Sequence, residues 1–257
     1  MPRSRIQFRV RGRRWSTSRW PALATVLAVV LVSCSPTNGT RTQDAPLADS
    51  APRAETQWDE MAQQVLLAPP DVDGFALAPQ RDYSVPEDVV LPECEVVDQL
   101  DERYGEYASA WGISYARPAT PTESEVQLGE SVLVWESDRV AVPRMSDAVT
   151  IIGPCRRAQI EYNFEQQAED RSIELLDAQL LDVDVPETAG VASGGYRVRL
   201  TASLGGLDFP IYYDFLFVAK GHIIVVVDLA VQVRPVPKSD QADILSAVAD
   251  RVIRAQQ

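Results

Sequence analysis

The chain is poor in the residue types that most catalytic sites use. Of its 257 residues one is histidine, three are cysteine and two, Lys220 and Lys238, are lysine. Any imidazole-based catalysis or metal binding would rest on His222 alone. Its place just after a hairpin turn reads as an ordinary strand-end residue. There is no G-x-S-x-G, no H-E-x-x-H and no phosphate-binding glycine loop. Gly194-Gly195 and Gly205-Gly206 read as turns. Asp71-Val72-Asp73-Gly74 lacks the further oxygen ligands of a calcium loop and also reads as a turn. The expectation is therefore a non-enzymatic chain with no cofactor and no metal. No internal repeat occurs. Nor is there an apolar run long enough for a membrane span, which takes about 20 residues; the run Trp20–Val32 has thirteen.

That run is informative in another way. The 19 residues before it carry seven arginines and no acid. A basic stretch, a short apolar core and small residues are the parts of an export signal. The run closes on Leu31-Val32-Ser33-Cys34, which resembles the lipobox of bacterial lipoproteins, [LVI]-[ASTVI]-[GAS]-C. The resemblance implies cleavage after Ser33, a diacylglyceryl thioether on Cys34, further acylation such as palmitate, and residence on the outer face of the cell membrane. Two or more acyl chains hold a protein stably where one does so only marginally.

Without residues 1–33 the chain keeps 17 basic residues against all 37 acidic ones, a net charge of −20. Such a surface repels phosphate backbones, so nucleic acid is excluded as a partner. With Cys34 acylated, Cys94 and Cys155 remain as an even pair in an oxidising compartment, which predicts a disulfide between them. The alternative is two buried thiols. Closing a loop of some sixty residues is worth roughly 4 kcal/mol by loop-closure entropy.

Residues 34–55 are rich in Pro, Ser, Thr, Ala and Asp without apolar periodicity and read as a disordered tether. The folded part is expected over 56–257. Trp58, Met61, Ala62, Val65 and Leu66 make one face of a helix that ends at Pro69-Pro70. A second helix starts near Pro92, with Glu93 and Glu95 in its first turn and Cys94, Val97, Leu100 and Tyr104 facing inward. Val126–Trp135 reads as a strand. A third helix, capped by Ser146, carries Ala148, Ile151, Ile152 and Cys155, and Gly153-Pro154 kinks or stops it. Ile173–Val185 favours a strand over a helix followed by a strand. Tyr196–Leu204 alternates as a half-buried strand. Ile211–Ala219 and His222–Val233 flank Lys220-Gly221 as a hairpin, the second strand apolar on both sides and hence central. Ser239 caps a closing helix with Ile244, Leu245, Val248 and Val252 inward. Together these predict an α+β domain, an antiparallel sheet with N-terminal helices and a C-terminal helix.

Asp228 interrupts the central strand. A buried carboxylate needs a partner, and a Lys220-Gly221 turn would set Tyr213 directly opposite it on one face. That pair reads either as a satisfied structural contact or as polar contacts lining a ligand cleft. Asp214 and Tyr212 on the other face keep the assignment open.

Taken whole, the layout resembles a family. Leu66-Leu67-Ala68-Pro69 ends a helix, Pro92-Glu93-Cys94 opens another, a later helix carries Cys155, and the chain closes on AKGHIIVVVDLAV and a helix. It is similar to the extracellular sensor domain of PknH-type bacterial serine/threonine kinases, which also occurs on actinobacterial lipoproteins. The resemblance implies an α+β sandwich with a cleft between helices and sheet for an unidentified envelope ligand. The family usually carries two disulfides, and this chain has cysteines for one. A membrane-anchored ligand-sensing or ligand-binding lipoprotein is thus the leading expectation. A protein-interaction or assembly module of the envelope is the alternative.

Overall fold

The computed structural model describes residues 56–257, apart from 80–84, 87–88, 106, 121–122 and 169–171. The leader 1–33, Cys34 and the tether 34–55 lie outside the described residues. Among the described residues no helix is long and apolar enough to cross a membrane.

The chain runs α1 (Gln57–Val65), β1 (Ala76–Leu77), α2 (Glu95–Tyr104), β2 (Ser109–Arg117), β3 (Val126–Val134), α3 (Ala141–Ala168), β4 (Ile173–Asp182), β5 (Ala192–Leu204), β6 (Leu207–Lys220), β7 (Ile223–Gln232) and α4 (Lys238–Arg254). Short 3-10 turns precede β1 and α2. The strands form one antiparallel sheet in the order β1-β2-β3-β7-β6-β5-β4. The strand that is apolar on both sides, β7, lies at its centre.

Side chains alternate across β7. Ile223, Val225, Val227, Leu229 and Val231 meet α1 and α4 through Ala62, Val65, Leu245, Val248 and Val252. Ile224, Val226 and Ala230 turn to the opposite face, where α3 lays Met145, Ala148, Ile160 and Phe164 over Tyr196, Phe215 and Phe217. The architecture is α+β with helices on both faces of the sheet.

Local chemistry accounts for most element ends. Thr56 caps α1 in a reciprocal box: its Oγ1 accepts from the Asp59 N–H at 3.3 Å and its own N–H donates to Asp59 Oδ2 at 2.9 Å. Gly205 and Gly206, at φ +61 and +84, make the β5–β6 turn.

Several expectations are corrected. Ser146 does not cap the third helix, which starts at Ala141 and runs through Pro154 to Ala168. An interior proline costs about 3 kcal/mol. Continuing the helix buries Cys155, Ala158, Ile160, Phe164 and Ala168, and 28 residues at 1.5 Å rise give about 42 Å, enough to carry the chain from β3 across the sheet to the far edge. Gly194-Gly195 is not a turn but lies inside β5. A Cβ on Gly195 would stand 2.6 Å from the Phe215 carbonyl oxygen and 2.9 Å from Val185, so the glycine serves close approach. Ser239 does not cap α4: Pro237 stands at the N-cap with no side-chain bond, and Ser239 Oγ turns to Asp240 Oδ1. Strand β2 went unread because its alternation is broken: Ser109 and Ser114 are buried while Trp111 and Gly112 are exposed.

Candidate functional site

The hairpin register moves the polar pair expected on the sheet. Lys220 pairs with Ile223, so the two turn residues are Gly221 and His222. Asp228 is then opposite Phe215, and Tyr213 is opposite Ala230. The two side chains share the α3 face as diagonal neighbours rather than as a direct pair. On its other side Asp228 is opposite Gly129, and a Cβ there would meet Asp228 Oδ1 at 2.1 Å. The missing side chain of Gly129 makes room for the carboxylate. Above, Arg156 of α3 sits over the Phe215 ring at 5.6 Å and hydrogen-bonds Tyr196. Burial is the main cause that pushes the Tyr196 phenol up to about 12. Tyr196, Tyr213 and Phe215 are buried beneath the helix, while Asp228 and Arg156 are half-buried.

The fully buried carboxylate on the same face as Tyr212 is Asp214, 1% exposed. It is held bidentately by Arg197 and receives Gln241 Nε2 at 2.9 Å. A second buried carboxylate, Glu130 on β3, was not singled out from sequence. Its Oε2 accepts from the Leu67 N–H at 2.7 Å, while Oε1 has no hydrogen-bond partner. Burial raises Glu130 to about 7, against the lowering effects of the Leu67 bond and of Arg251. Beside it Tyr115 donates to the Leu67 carbonyl at 2.8 Å and Arg251 pairs with Asp71 at 2.5 Å. These groups clamp the end of α1 to the sheet.

A cavity of about 350 Å³ opens elsewhere, where the end of α2 meets the β3–α3 connection. Its rings are Tyr104, Tyr107 and Trp135, its aliphatic wall Ala108 and Val140, and its polar groups Glu136 and Ser137. Gly105, at φ +72, ends α2 after Tyr104. The Ala108 N–H, bonded to the Val134 carbonyl at 2.7 Å, returns the chain to the sheet.

Trp135 is 2% exposed and fixed on three sides. Its N–H donates to the His222 carbonyl, His222 Nδ1 lies 3.0 Å from its carbonyl oxygen, and its Nε1 donates to the Gly105 carbonyl at 3.2 Å. His222 also packs on Trp58 of α1 with ring centroids 5.3 Å apart. Its role in the fold is that of a structural turn residue. Tyr107, half exposed, stands at 89° to Trp135 with centroids 6.4 Å apart. An edge-to-face pair at that distance is a favourable aromatic contact.

Arg144 of α3 backs the rings. Its guanidinium lies 5.2 Å from the Trp135 centroid and 5.9 Å from that of Tyr104, and it donates to the Leu100 carbonyl at 2.9 Å. The Tyr104 hydroxyl donates to Asp147 Oδ2 at 2.7 Å, and Arg103 reaches the same oxygen at 2.6 Å. The tyrosine bond, then Arg103, holds Asp147 below the usual carboxylate range. One wall of the cavity is therefore pinned to α3. The Cys94–Cys155 disulfide, S–S 2.04 Å, joins the start of α2 to the middle of α3, and Glu93 pairs with Arg157 at 3.3 Å.

None of the three rings stood out in the sequence as a ligand contact. Tyr104 reads as the inner face of a helix and Trp135 as a strand end, and Tyr107 lies in a stretch without a periodic pattern. Among the described residues no group of three or more His, Cys, Asp or Glu converges as a metal would require.

No protein-family model and no curated protein matches the sequence. Among solved structures, the chain is similar to the extracellular domain of PknH from Mycobacterium tuberculosis. That match has 14% identity and a TM-score of 0.41, covering 76% of this chain and 96% of that one. It is also similar to LpqN, involved in cell envelope biogenesis of the same organism, at 11% identity and a TM-score of 0.28, covering 72% and 77%. A protein of unknown function from Pseudomonas aeruginosa follows at 14% identity and a TM-score of 0.21, over 49% and 72%. The resemblance read from the layout of the sequence thus recurs among the structures. At these scores a functional reading has to come from this chain's own residues.

Proposed function

We propose that the protein is a lipid-anchored extracytoplasmic lipoprotein whose domain binds a small ligand and is not an enzyme. The observation that carries this reading is the cavity of about 350 Å³ beside Trp135, with its crossed rings and two polar groups. Ligand pockets of roughly 300–1,000 Å³ combine apolar and aromatic walls with a few polar groups that fix orientation. The disulfide between α2 and α3 suits an oxidising compartment, in keeping with export and with acylation at Cys34.

Native mass spectrometry of the full chain extracted from its own membranes tests the ligand. A co-purifying small molecule, lost in the Tyr107→Ala variant, is the expected result. Protein free of any bound molecule, with a Cys34→Ala variant that stays in the membrane fraction, would overturn both halves of the reading.

A second reading has its own observation. Strand β4 is an edge of the sheet and exposes Leu176, Leu180 and Leu181. Free edges with apolar side chains are templates for strand addition, as an envelope assembly module would use. A stoichiometric protein partner in the same mass spectra favours that alternative.

A further inference from the structure

Taking the cavity beside Trp135 as the ligand site, as proposed above, we infer that it accepts a neutral sugar ring. Four kinds of small molecule could enter it.

A cation would meet the permanent charge of Arg144, already lying against Trp135 and Tyr104, the two rings it would need. An anion would meet the Glu136 carboxylate at the cavity wall, on a chain carrying 37 acidic residues. A wholly apolar molecule would strip water from Glu136 and Ser137 and return no hydrogen bond. A neutral ring with one C–H face and a rim of hydroxyls avoids all three penalties. Its C–H face stacks on the half-exposed Tyr107, and its hydroxyls donate to Glu136 in charge-assisted bonds. The Ser137 hydroxyl can both donate and accept. A cavity of about 350 Å³ stands at the small end of the usual range, sized for roughly one or two sugar rings rather than a long acyl chain.

The ring geometry is built in advance. Trp135 is held by its own N–H, its carbonyl and its indole nitrogen. Tyr104 is held through Asp147. Of the three rings Tyr107 is the most exposed, and it is the one with an open face. Walls fixed in advance limit the ordering cost of binding.

The test is saturation-transfer difference NMR on the full-length chain in a detergent that carries no sugar. The probes are glucose, galactose, arabinose and N-acetylglucosamine. Tetramethylammonium, inorganic phosphate and 1-hexanol stand for the other three classes. The expected result is saturation of the C–H protons on one face of at least one sugar. That signal falls at least tenfold in Tyr107→Ala, survives in Tyr107→Phe, drops several-fold in Glu136→Gln, and is unchanged in Trp111→Ala, whose ring lies outside the cavity. Saturation of one of the other three probes that depends on Tyr107, with no sugar responding, overturns the sugar assignment while the ligand-binding reading stands. Absence of any Tyr107-dependent signal overturns the sugar site outright, and the co-purification result then decides the broader reading separately. Unchanged thermal unfolding of each variant shows that a lost signal is not a lost fold.

Discussion

The two faces of the sheet are made by the same strands yet hold their helices by different means. Towards α1 and α4 the contact is aliphatic, valine, leucine and isoleucine from β3, β6 and β7 against Ile244, Leu245 and Val248. Its polar groups include the buried Glu130, Asp214 and Gln241, with the half-buried Arg197 pairing to Asp214. Towards α3 the contact is aromatic, with arginines laid over rings and a disulfide fastening α2 to α3. Branched aliphatic side chains interdigitate and close the space between layers. On the aromatic side a cavity lies beside the crossed rings of Tyr107 and Trp135. The disulfide and the cavity both lie on the aromatic side of the sheet.

The largest expected effect comes from the α3 face. Replacing Cys94 and Cys155 together by serine removes a link across 61 residues, and loop-closure entropy sets the loss at about 4 kcal/mol. Urea unfolding with and without reductant measures it, and reductant alone should reproduce the variant. Stability indifferent to reduction would mean that the aromatic face needs no staple.

On the aliphatic face, Leu245→Ala empties a fully buried position and should cost about 3 kcal/mol. A loss below 1 kcal/mol would show that this face is looser than its burial indicates.

Glu130 gives the pH-dependent contrast. Its folded value is raised to about 7 from an ordinary 4.5, so the folded state holds a proton that the unfolded chain has released. Stability is therefore highest below about 4.5, falls as pH rises to about 7, and is flat with respect to this group above that. Glu130→Gln keeps an acceptor for the Leu67 N–H and removes the ionisation. Relative to wild type the variant should gain stability across that window, by at most about 3 kcal/mol at pH 8. Unfolding at a series of pH values reads the difference, and parallel curves would remove Glu130 as the cause.

The smallest effect is a steric one on the α3 face. Gly129→Ala drives a methyl onto Asp228 and should cost about 2 kcal/mol. A double-mutant cycle with Asp228→Ala should show coupling between the two sites, because the clash leaves with the carboxylate. Strict additivity would mean that the strand yields instead.

Much of this architecture is legible in local pattern. The apolar stripe of α1, the two-sided hydrophobicity of β7, the alternation of β5 and the inward Ile244, Leu245, Val248 and Val252 of α4 follow from periods of 3.6 and 2. The pairing of Cys94 with Cys155 follows from compartment and cysteine count. Those features depend on neighbours along the chain, or on how many residues of one kind there are, and the linear order carries both.

What the tertiary structure alone decided is where distant segments meet. The proline in α3 is tolerated because tertiary burial outweighs a local penalty. The hairpin turn slid by one residue, which moved Tyr213 away from Asp228. The cavity joins Tyr104 and Tyr107 to Trp135, and Arg144 behind them, across three segments whose proximity no periodicity announces. Sequence patterns report which face of an element is buried; the partner that buries it is chosen by the packing of the whole.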